Sequence, residues 1–505
     1  MDKKKSTFQK VWLVILSLVL SGTMAVFANL RMSYAWSLEE AAKPYQGKTL
    51  RMIGESLPPL EALEKVKAEF ENRTGVKVVI EQYGHEEVIE KTTADFAGQT
   101  GTYDLILNPH REIGRYVEND WIRPIEEFMS DPTLLDPGFD IKGKAFINQF
   151  WLEETCAYQG KMYGLPFHQI SMYLWWRYDL LENPIERADF TKKYGYELPA
   201  PPLNWKEYRD VAEFFTRKKG DKLMGQPLDH EMYGNVVQGG RHVSAWYWFL
   251  NVLYSFGGRE MNIKRGDQYG PVTINSPVAV QALQYCVDML QFSPPGSTTY
   301  TWDEAQAAQQ QNIAVLGIQW DDATWAVEDP KQSRVAGKMA FSGTPIGKEK
   351  MTQVEGWSYF IPKSSQKPKL AYLFIQWAMG QKAQVAQQLS GGESGLMSTY
   401  NNADVQKIPY VPTALYLKSN RVLSVRKFGA KNGVGVPETF LKALNPVKGN
   451  TEVSWVPKPT FPEQEQIVEA ITLAVNEALA GEKTPQQALD EAAARMKKVL
   501  GAKAK

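Results

Sequence analysis

Hydrophobic and polar positions follow two different periods along the first quarter of the chain. Residues 48–54 and 103–107 are short apolar runs, and residues 76–83 alternate between apolar and polar side chains, which is typical of strands. The stretches between them, 58–74 and 85–96, carry apolar residues at helical spacing. This β-α-β-α-β order predicts an α/β fold in which helices cover a parallel sheet.

The ends of these strands are the first candidate binding positions. In open parallel sheets, ligands sit outside the carboxyl ends of the strands, so the loops that follow the three strands should share one rim. The rim residues that we predict to contact a ligand are Glu55, Tyr83, Asn108 and His110. For Glu55 and Asn108, ordinary turn hydrogen bonding explains the residue type equally well.

The rest of the chain continues with mixed elements and without an internal repeat. Apolar residues at helical spacing predict helices at 205–216, 277–292, 370–390, 464–480 and 485–500. Compact apolar runs predict strands at 313–320 and 356–362. A chain of 505 residues exceeds the size of one ordinary core, so we expect two or more domains.

The first thirty residues have the layout of a secretory signal peptide. Lys3, Lys4, Lys5 and Lys10 precede the apolar run 11–20, and small-residue cleavage patterns follow it. We expect a signal peptide over 1–28, with cleavage as late as residue 35 as a variant, and hence a freely diffusing periplasmic protein. The alternative is an uncleaved anchor, because residues 11–30 are about long enough to span a bilayer.

Composition and charge exclude several classes of protein. Lys plus Arg and Asp plus Glu both number 57, so the zero net charge gives no indication of a nucleic-acid partner. The chain has no G-x-S-x-G, H-E-x-x-H, P-loop or G-x-G-x-x-G motif, and its five His residues lack metal-ligand spacing. We therefore expect no catalytic residues, no metal and no cofactor. The aromatic content of 12% suits both ordinary cores and a binding cleft.

The two cysteines, Cys156 and Cys286, leave two interpretations open. Export permits a disulfide between them. Cys286, however, lies on an apolar helical stripe with Leu283 and Leu290, where a buried free thiol is equally expected.

Short stretches in a fixed order carry a family resemblance. They are TGVKV (74–78), YDLI (103–106), GKMYGLP (160–166), WRYDLL (176–181), NWKEY (204–208), SFGG (255–258), INSP (274–277), GW (356–357), IPKSS (361–365) and the 480–490 tail. With these stretches the chain resembles the family 1 extracellular solute-binding proteins of carbohydrate ABC importers, over nearly its whole mature length. Each stretch alone is weak, but their joint order is specific.

The resemblance implies a two-lobed periplasmic binding protein fold, type II-like, with a ligand cleft between the lobes. The N-terminal lobe would comprise 45–166 plus 356–395, and the C-terminal lobe 167–355 plus 396–505. Segments near 163–169, 356–360 and 391–398 would cross between the lobes as hinges.

The resemblance also extends the candidate ligand-binding residues beyond the rim. Those implied at the two crossings are Phe167, His168 and Trp357. Those implied in the second lobe are Gln238, Arg241, Trp246, Trp320 and Asp321. A plain surface charge is an equal alternative for Arg241.

The function implied is capture of a sugar, oligosaccharide or polyol for import, without enzymatic activity. The implied partners are this small molecule and the permease subunits of an ABC transporter in the inner membrane, with the binding protein acting as a monomer. One alternative is an anionic, phosphorylated or sulfonated polyol held by Arg241 and His168. A secreted glycoside-processing enzyme and a sensory subunit for a chemoreceptor are further alternatives.

Overall fold

One long strand links two halves of the protein in its computed structural model, which describes residues 36–139, 156–390, 392, 394–400, 402–405 and 459–504. The predicted signal peptide, 1–28, and part of the crossing predicted at 391–398 lie outside these residues. The strands of the main sheet are β1 (Thr49–Glu55), β2 (Lys77–Tyr83), β3 (Leu105–Pro109), β6 (Gly164–Arg177), β9 (Leu316–Trp320), β10 (Met339–Ser342) and β11 (Val354–Phe360). Two small hairpins are formed by β4 (Ala157–Tyr158) with β5 (Lys161–Met162) and by β7 (Lys222–Leu223) with β8 (Gln226–Pro227).

The N-terminal part of the sheet has the predicted parallel arrangement. β1 lies between β2 and β3 and is parallel to both, with Thr49 opposite Lys77 and Met52 opposite Leu105. β11 then pairs antiparallel with β3 on one side and with the first half of β6 on the other. The predicted β-α-β-α-β unit is therefore confirmed.

The second half of β6 belongs to a different part of the molecule. Residues 172–176 of this strand pair antiparallel with β9, and residues 174–177 pair antiparallel with β10. The register of β6 against β11 shifts between Trp357 and Ser358. Such a bulge bends a strand and redirects its side chains, which suits a strand that passes from one sheet region to another.

Eighteen α-helices surround the sheet within the described residues. Those that precede β9 are α1 (Leu38–Ala42), α2 (Pro58–Val66), α3 (Ala68–Thr74), α4 (His85–Gly98), α5 (Ile113–Glu118), α6 (Glu126–Met129), α7 (Tyr178–Leu181), α8 (Pro184–Tyr194), α9 (Trp205–Phe215), α10 (Val243–Ser255), α11 (Pro277–Met289) and α12 (Trp302–Gln310). Those that follow it are α13 (Thr324–Glu328), α14 (Pro368–Ala378), α15 (Gln381–Leu389), α16 (Met397–Tyr400), α17 (Gln464–Leu479) and α18 (Pro485–Leu500). Short 3₁₀ turns lie at Lys43–Tyr45, His110–Glu112, Leu290–Phe292 and Gly501–Ala504.

Local sequence signals explain several helix ends. Ser276 caps α11 by accepting a hydrogen bond from the Ala279 amide, with Pro277 at the first helical position. Thr484 begins α18 with a capping box. The single helix predicted over 370–390 is in fact two, because the chain is extended at Gly380 (φ −69°, ψ 147°) and α15 begins after it.

Two separate hydrophobic cores define two lobes. Lobe 1 is built around β1–β3, the first half of β6, β11 and α14, with Leu50, Phe70 and Phe374 fully buried. Lobe 2 is built around the second half of β6, β9, β10 and the helices α9–α11, α17 and α18. Cys156 and Cys286 are both buried, and no disulfide joins them. The exact lobe limits given above stay a prediction.

The lobes also touch beside the strands. A Cβ added at Gly114, in α5 of lobe 1, would lie 1.9 Å from the carbonyl oxygen of Thr460, on the segment that leads into α17 of lobe 2. Only glycine permits this approach, so the glycine fixes how closely the two lobes meet. Among the described residues, no helix is both long and apolar enough to cross a membrane.

Candidate functional site

A cleft of about 860 Å³ lies where the lobes meet, and both lobes line it. Its floor is formed by Ile170 of β6 and by Glu355 and Trp357 of β11. The lobe 1 wall includes Glu55, Ser56, His85 and Arg111, and the lobe 2 wall includes Tyr247, Trp302, Gln319, Trp320 and Asp322. This volume lies in the range of sites for small molecules.

The lobe 1 wall is made at the carboxyl ends of three neighbouring strands. Glu55 ends β1, His85 begins the helix after β2, and Arg111 lies in the 3₁₀ turn after β3. Arg111 Nη2 donates to His85 Nε2 (3.1 Å), and His85 Nδ1 lies 2.8 Å from Glu55 Oε2. Because a guanidinium only donates, Nε2 accepts, and the proton of the ring is on Nδ1, which donates to Glu55. These three side chains thus form one hydrogen-bonded chain.

Arg111 also connects the two lobes. Its side chain is only 2% exposed, its Nε donates to Oε1 of Glu465 in α17 (2.7 Å), and its Nη1 donates to the hydroxyl of Tyr247 in α10 (3.3 Å). Burial opposes ionisation of Glu465, but Arg111 and a hydrogen bond with Glu112 together lower the pKa of Glu465. Burial and the negative charge of Glu465 raise the pKa of Glu112 well above its usual range.

The floor of the cleft is polar as well as aromatic. Glu355 is 3% exposed and contacts both His110 Nδ1 and the hydroxyl of Tyr247. Trp357 is 4% exposed, and its ring lies edge-to-face against that of His85, with centroids 5.6 Å apart.

The lobe 2 wall is mainly aromatic. Trp302 begins α12, whose start is fixed by a capping box between Thr301 and Glu304, and its ring lies 5.5 Å from that of His85 across the cleft. The Gln319 side chain donates to the backbone carbonyl of Trp302 (2.8 Å), which helps to fix the position of Trp302. Trp320 ends β9 and lies edge-to-face against Tyr247, with centroids 5.0 Å apart. These rings offer apolar faces and edges to a bound molecule.

Two acidic residues follow β9. Asp322 lines the cleft with 7% of its surface exposed, and burial together with the negative charge of Glu55 raises its pKa to about 7. Asp321 accepts a hydrogen bond from the Ser171 amide (3.0 Å), and burial and Asp322 raise its pKa. No three His, Cys, Asp or Glu side chains of the described residues are grouped to hold a metal ion.

The structure brings three of the twelve sequence-predicted residues into the cleft lining, namely Glu55, Trp320 and Trp357. His110 contacts Glu355 just below the floor. Asp321 immediately precedes the cleft residue Asp322, and at the turn after β9 its carboxylate accepts the hydrogen bond from the Ser171 amide.

The other predicted residues of lobe 1 and the crossings lie outside this lining. Tyr83 donates to Glu81 (3.0 Å) on the surface of the sheet, and Asn108 is buried and donates to Thr92 (2.9 Å). Phe167 packs in the lobe 1 core against Tyr359. His168 is 1% exposed, and neither ring nitrogen has a hydrogen-bond partner among the described residues; burial lowers its pKa to about 3.

The remaining predicted residues of lobe 2 are also placed elsewhere. Gln238 donates to the Ile318 carbonyl (3.0 Å), and Trp246 is buried and donates to Glu260 (2.7 Å). Arg241 is exposed.

Several lining residues were not named from the sequence. His85 lies two residues after the predicted rim residue Tyr83, and Arg111 lies one residue after His110. A prediction that extended each rim loop by two residues would have included both. Trp302 follows Thr301, which with Glu304 has capping-box spacing, and this signal predicts the helix start but not its position beside the cleft. Tyr247, Gln319 and Glu355 carry no such signal, because they lie inside regular elements.

Comparison with solved structures identifies the architecture. A solute-binding protein of an ABC transporter from Agrobacterium radiobacter K84, in complex with ribitol, superposes with a TM-score of 0.66 at 24% identity, covering 90% of this chain and 100% of that one. A protein from Agrobacterium vitis S4 with bound D-mannitol superposes with a TM-score of 0.65 at 22% identity, covering 90% and 99%. The two-lobed periplasmic binding protein fold is confirmed.

Sequence comparison identifies the family. A probable ABC transporter-binding protein of Deinococcus radiodurans is 27% identical over 52% of this chain, and the aligned part spans 58% of that relative, less than two thirds of its length. The mannitol-binding protein of Pseudomonas aeruginosa is 23% identical over 58% of this chain and 59% of that relative. Residues 54–385 match the family model described as bacterial extracellular solute-binding protein. The chain therefore belongs to the bacterial extracellular solute-binding protein family.

Proposed function

We propose that this protein captures a sugar or polyol in the cleft between its lobes and delivers it to the permease of an ABC importer. The observation that carries this proposal is the cleft of about 860 Å³, whose walls come from both lobes and combine Trp rings with buried carboxylates and an arginine. The protein acts as a periplasmic monomer and performs no chemistry on its ligand.

The two kinds of lining residue match the two kinds of surface on such a ligand. Trp302 and Trp320 can cover the apolar C–H faces of a carbon chain or ring. Hydroxyl groups removed from water must each be hydrogen-bonded, and Glu55, Asp322 and Glu355 provide acceptors for them. An unpaired buried hydroxyl costs about 1–3 kcal/mol, which lets the site select among near-isomers.

A bound molecule that touches both lobes would stabilise the arrangement in which the lobes meet. The relatives support this ligand class, since one is named a mannitol-binding protein and one solved neighbour holds ribitol. The name of the Deinococcus relative, a probable ABC transporter-binding protein, supports a permease as the partner.

A thermal-shift screen with sugars and polyols, followed by titration calorimetry, tests the proposal. A ligand present at about 100 times its dissociation constant should stabilise the fold by about 2.7 kcal/mol. Saturable binding without turnover is expected. Turnover of a chromogenic glycoside, or no stabilisation by any sugar or polyol, would contradict the proposal.

Trp302→Ala gives the corresponding site test. Loss of a ring face that covers the ligand should weaken binding about tenfold, which corresponds to about 1.4 kcal/mol. Trp121→Ala is the matched control, because Trp121 is also half-buried but stacks on Phe96 in lobe 1, away from the cleft lining. Trp302 is a cleaner choice than Trp357, whose 4% exposure places it in the lobe 1 core, where truncation costs about 3–5 kcal/mol of stability. Equal dissociation constants for the two variants would place the site elsewhere.

A further inference from the structure

The charges deep in the cleft do not balance. Three carboxylates with at most 9% of their surface exposed line it, on Glu55, Glu355 and Asp322. Arg111 is the one buried cation among the lining residues that the structure describes, and its Nε already donates to Glu465 in α17. Its positive charge is therefore matched by an acid outside this set of three.

Two of the three carboxylates have side-chain partners within the protein. Glu55 accepts from His85, and Glu355 contacts His110 and the hydroxyl of Tyr247. Asp322 differs from them. Within the described part of the chain its carboxylate has no side-chain partner, and only the backbone amides of Asp322 and Ala323 approach it. An almost fully buried carboxylate without a cation is costly, because burial disfavours the charged form.

We propose that the cleft is selective for a hydroxylated ligand that carries a basic nitrogen, such as an amino polyol or amino sugar, with its ammonium group bound by Asp322 and Glu55. This inference rests on the proposed function and names the ligand class more closely. Glu55 acts on Asp322 across the cleft as a like charge, and an ammonium group between them would turn this repulsion into two attractions.

The aromatic wall supports a cationic ligand for a second, independent reason. Trp302 and Trp320 line the same cleft as Asp322, and the faces of indole rings attract cations. The arrangement of an acid beside indole rings thus suits an ammonium group with an attached carbon chain better than it suits a neutral polyol.

The same cleft offers little to an anionic ligand. Lys65 lies at its edge and donates to the Ser390 carbonyl (3.3 Å), while Arg241 is exposed and outside the lining. The pKa of His168, lowered by burial to about 3, keeps this residue uncharged, and it too lies outside the lining. A phosphorylated or sulfonated polyol would meet Asp322 without a free buried cation to offset it.

Matched ligand pairs test the inference on the full-length mature protein at pH 7.5. The pairs are 1-amino-1-deoxy-D-glucitol against D-glucitol, 1-amino-1-deoxy-D-mannitol against D-mannitol, and D-glucosamine against D-glucose. Calorimetric titration should give at least a tenfold lower dissociation constant for the amine of one or more pairs. Asp322→Asn should remove this preference, because it should weaken binding of the amine at least tenfold more than binding of its neutral partner.

Asp329→Asn is the matched control for charge. Asp329 also lines the cleft, but at its edge, where it accepts hydrogen bonds from the Lys331 amide (2.9 Å) and Gln332 Nε2 (2.8 Å). This variant should keep the amine preference, which separates a contact with Asp322 from a general effect of acidity.

The outcomes separate the inference from the proposed function. If the neutral polyols or sugars bind as tightly as their amines, or more tightly, the inference is wrong and the proposed function stands. If the amine preference survives in the Asp322→Asn variant, the inferred contact is wrong. If no compound of the pairs or of the wider sugar and polyol screen binds, both the proposed function and the inference fail.

Discussion

The two walls of the cleft face each other but are constructed differently. On the lobe 1 wall, Glu55, His85 and Arg111 come from equivalent positions at the ends of three parallel strands, and they hydrogen-bond to one another. On the lobe 2 wall, Trp302 begins α12 and Asp322 follows the antiparallel strand β9, so different elements position the two residues. Glu55, His85 and Arg111 thus form one hydrogen-bonded network, whereas Trp302 and Asp322 are positioned separately from each other.

This difference indicates a division of roles. The lobe 1 network is hydrogen-bonded internally and continues through Arg111 to Glu465 of the opposite lobe, so we expect its main effect to be on how the lobes are held together. The lobe 2 wall has Trp rings that line the cleft and a carboxylate without a side-chain partner among the described residues, so under the proposed function we expect its main effect to be on which ligand is bound. Substitutions in the two walls should therefore change different measured quantities.

The largest expected effect is on stability, from Arg111→Met. Removing the guanidinium leaves Glu465, Tyr247 and His85 without their shared donor at the lobe interface. Breaking a buried ion pair by removing one partner typically costs about 3–5 kcal/mol, and the 34% exposure of the Glu465 side chain places this pair at the lower end of that range. Urea unfolding should show a loss of about 3 kcal/mol in the free energy of unfolding.

Arg123→Met is the control for that loss. Arg123 pairs with Glu127 on the surface of lobe 1, with side chains 30% and 42% exposed, and such pairs contribute about 0–1 kcal/mol. A loss for Arg111→Met no larger than that for Arg123→Met would show that the lobe 1 network does not hold the lobes.

The strands of the sheet differ in how well the sequence predicts them. β1, β2 and β3 were predictable because their apolar runs alternate with helical patterns over a short length of chain. The fourteen residues of β6 were not recognised as one strand. Each half of β6 is buried in a different core, and the predicted lobe boundary at 166–167 falls inside it, at the bulge opposite Trp357 and Ser358. Local patterns do not report that a strand changes its neighbours partway.

The site was predictable to the extent that it depends on strand ends. Glu55 and Trp320 end β1 and β9 and line the cleft, as expected for residues at the ends of strands. Asn108 also lies near a strand end, but it is buried and bonded to Thr92, because the last residues of β3 are covered by α4 and α5. Tyr247 and Trp246 are neighbours on one helix, and only the packing of α10 decides that the first faces the cleft and the second faces Glu260.

A smaller and pH-dependent effect is expected from Asp322→Asn. The pKa of Asp322 is raised from 3.8 to about 7, so between these values the folded state binds more protons than the unfolded state. The contribution of this group to stability therefore falls as the pH rises from about 4 to 7. The variant lacks this loss. The free energy of unfolding of the variant minus that of the wild type should therefore be at least about 1 kcal/mol larger at pH 8 than at pH 4.5, as measured by urea unfolding.

Two histidines also make stability depend on pH, so the variant must be compared with the wild type at each pH. Burial lowers the pKa of His242 to about 4 and that of His168 to about 3, so both remove stability as the pH falls below their usual values. These contributions cancel between variant and wild type at each pH. An equal difference at pH 8 and pH 4.5 would mean that Asp322 is not the group that titrates.

The smallest expected effect is that of Arg241→Gln, and it tests whether the lobe 2 wall selects against anions. Arg241 is exposed and is not among the residues that line the cleft, so its charge is screened by solvent and salt. The dissociation constants for a bound polyol and for its phosphate ester should each change by less than twofold in calorimetric titrations. A loss of tenfold or more for the phosphate ester alone would instead assign Arg241 to an anion pocket. In that case the ligand contacts of lobe 2 would extend beyond the cleft lining, and the carboxylate of Asp322 would not set the charge of the ligand.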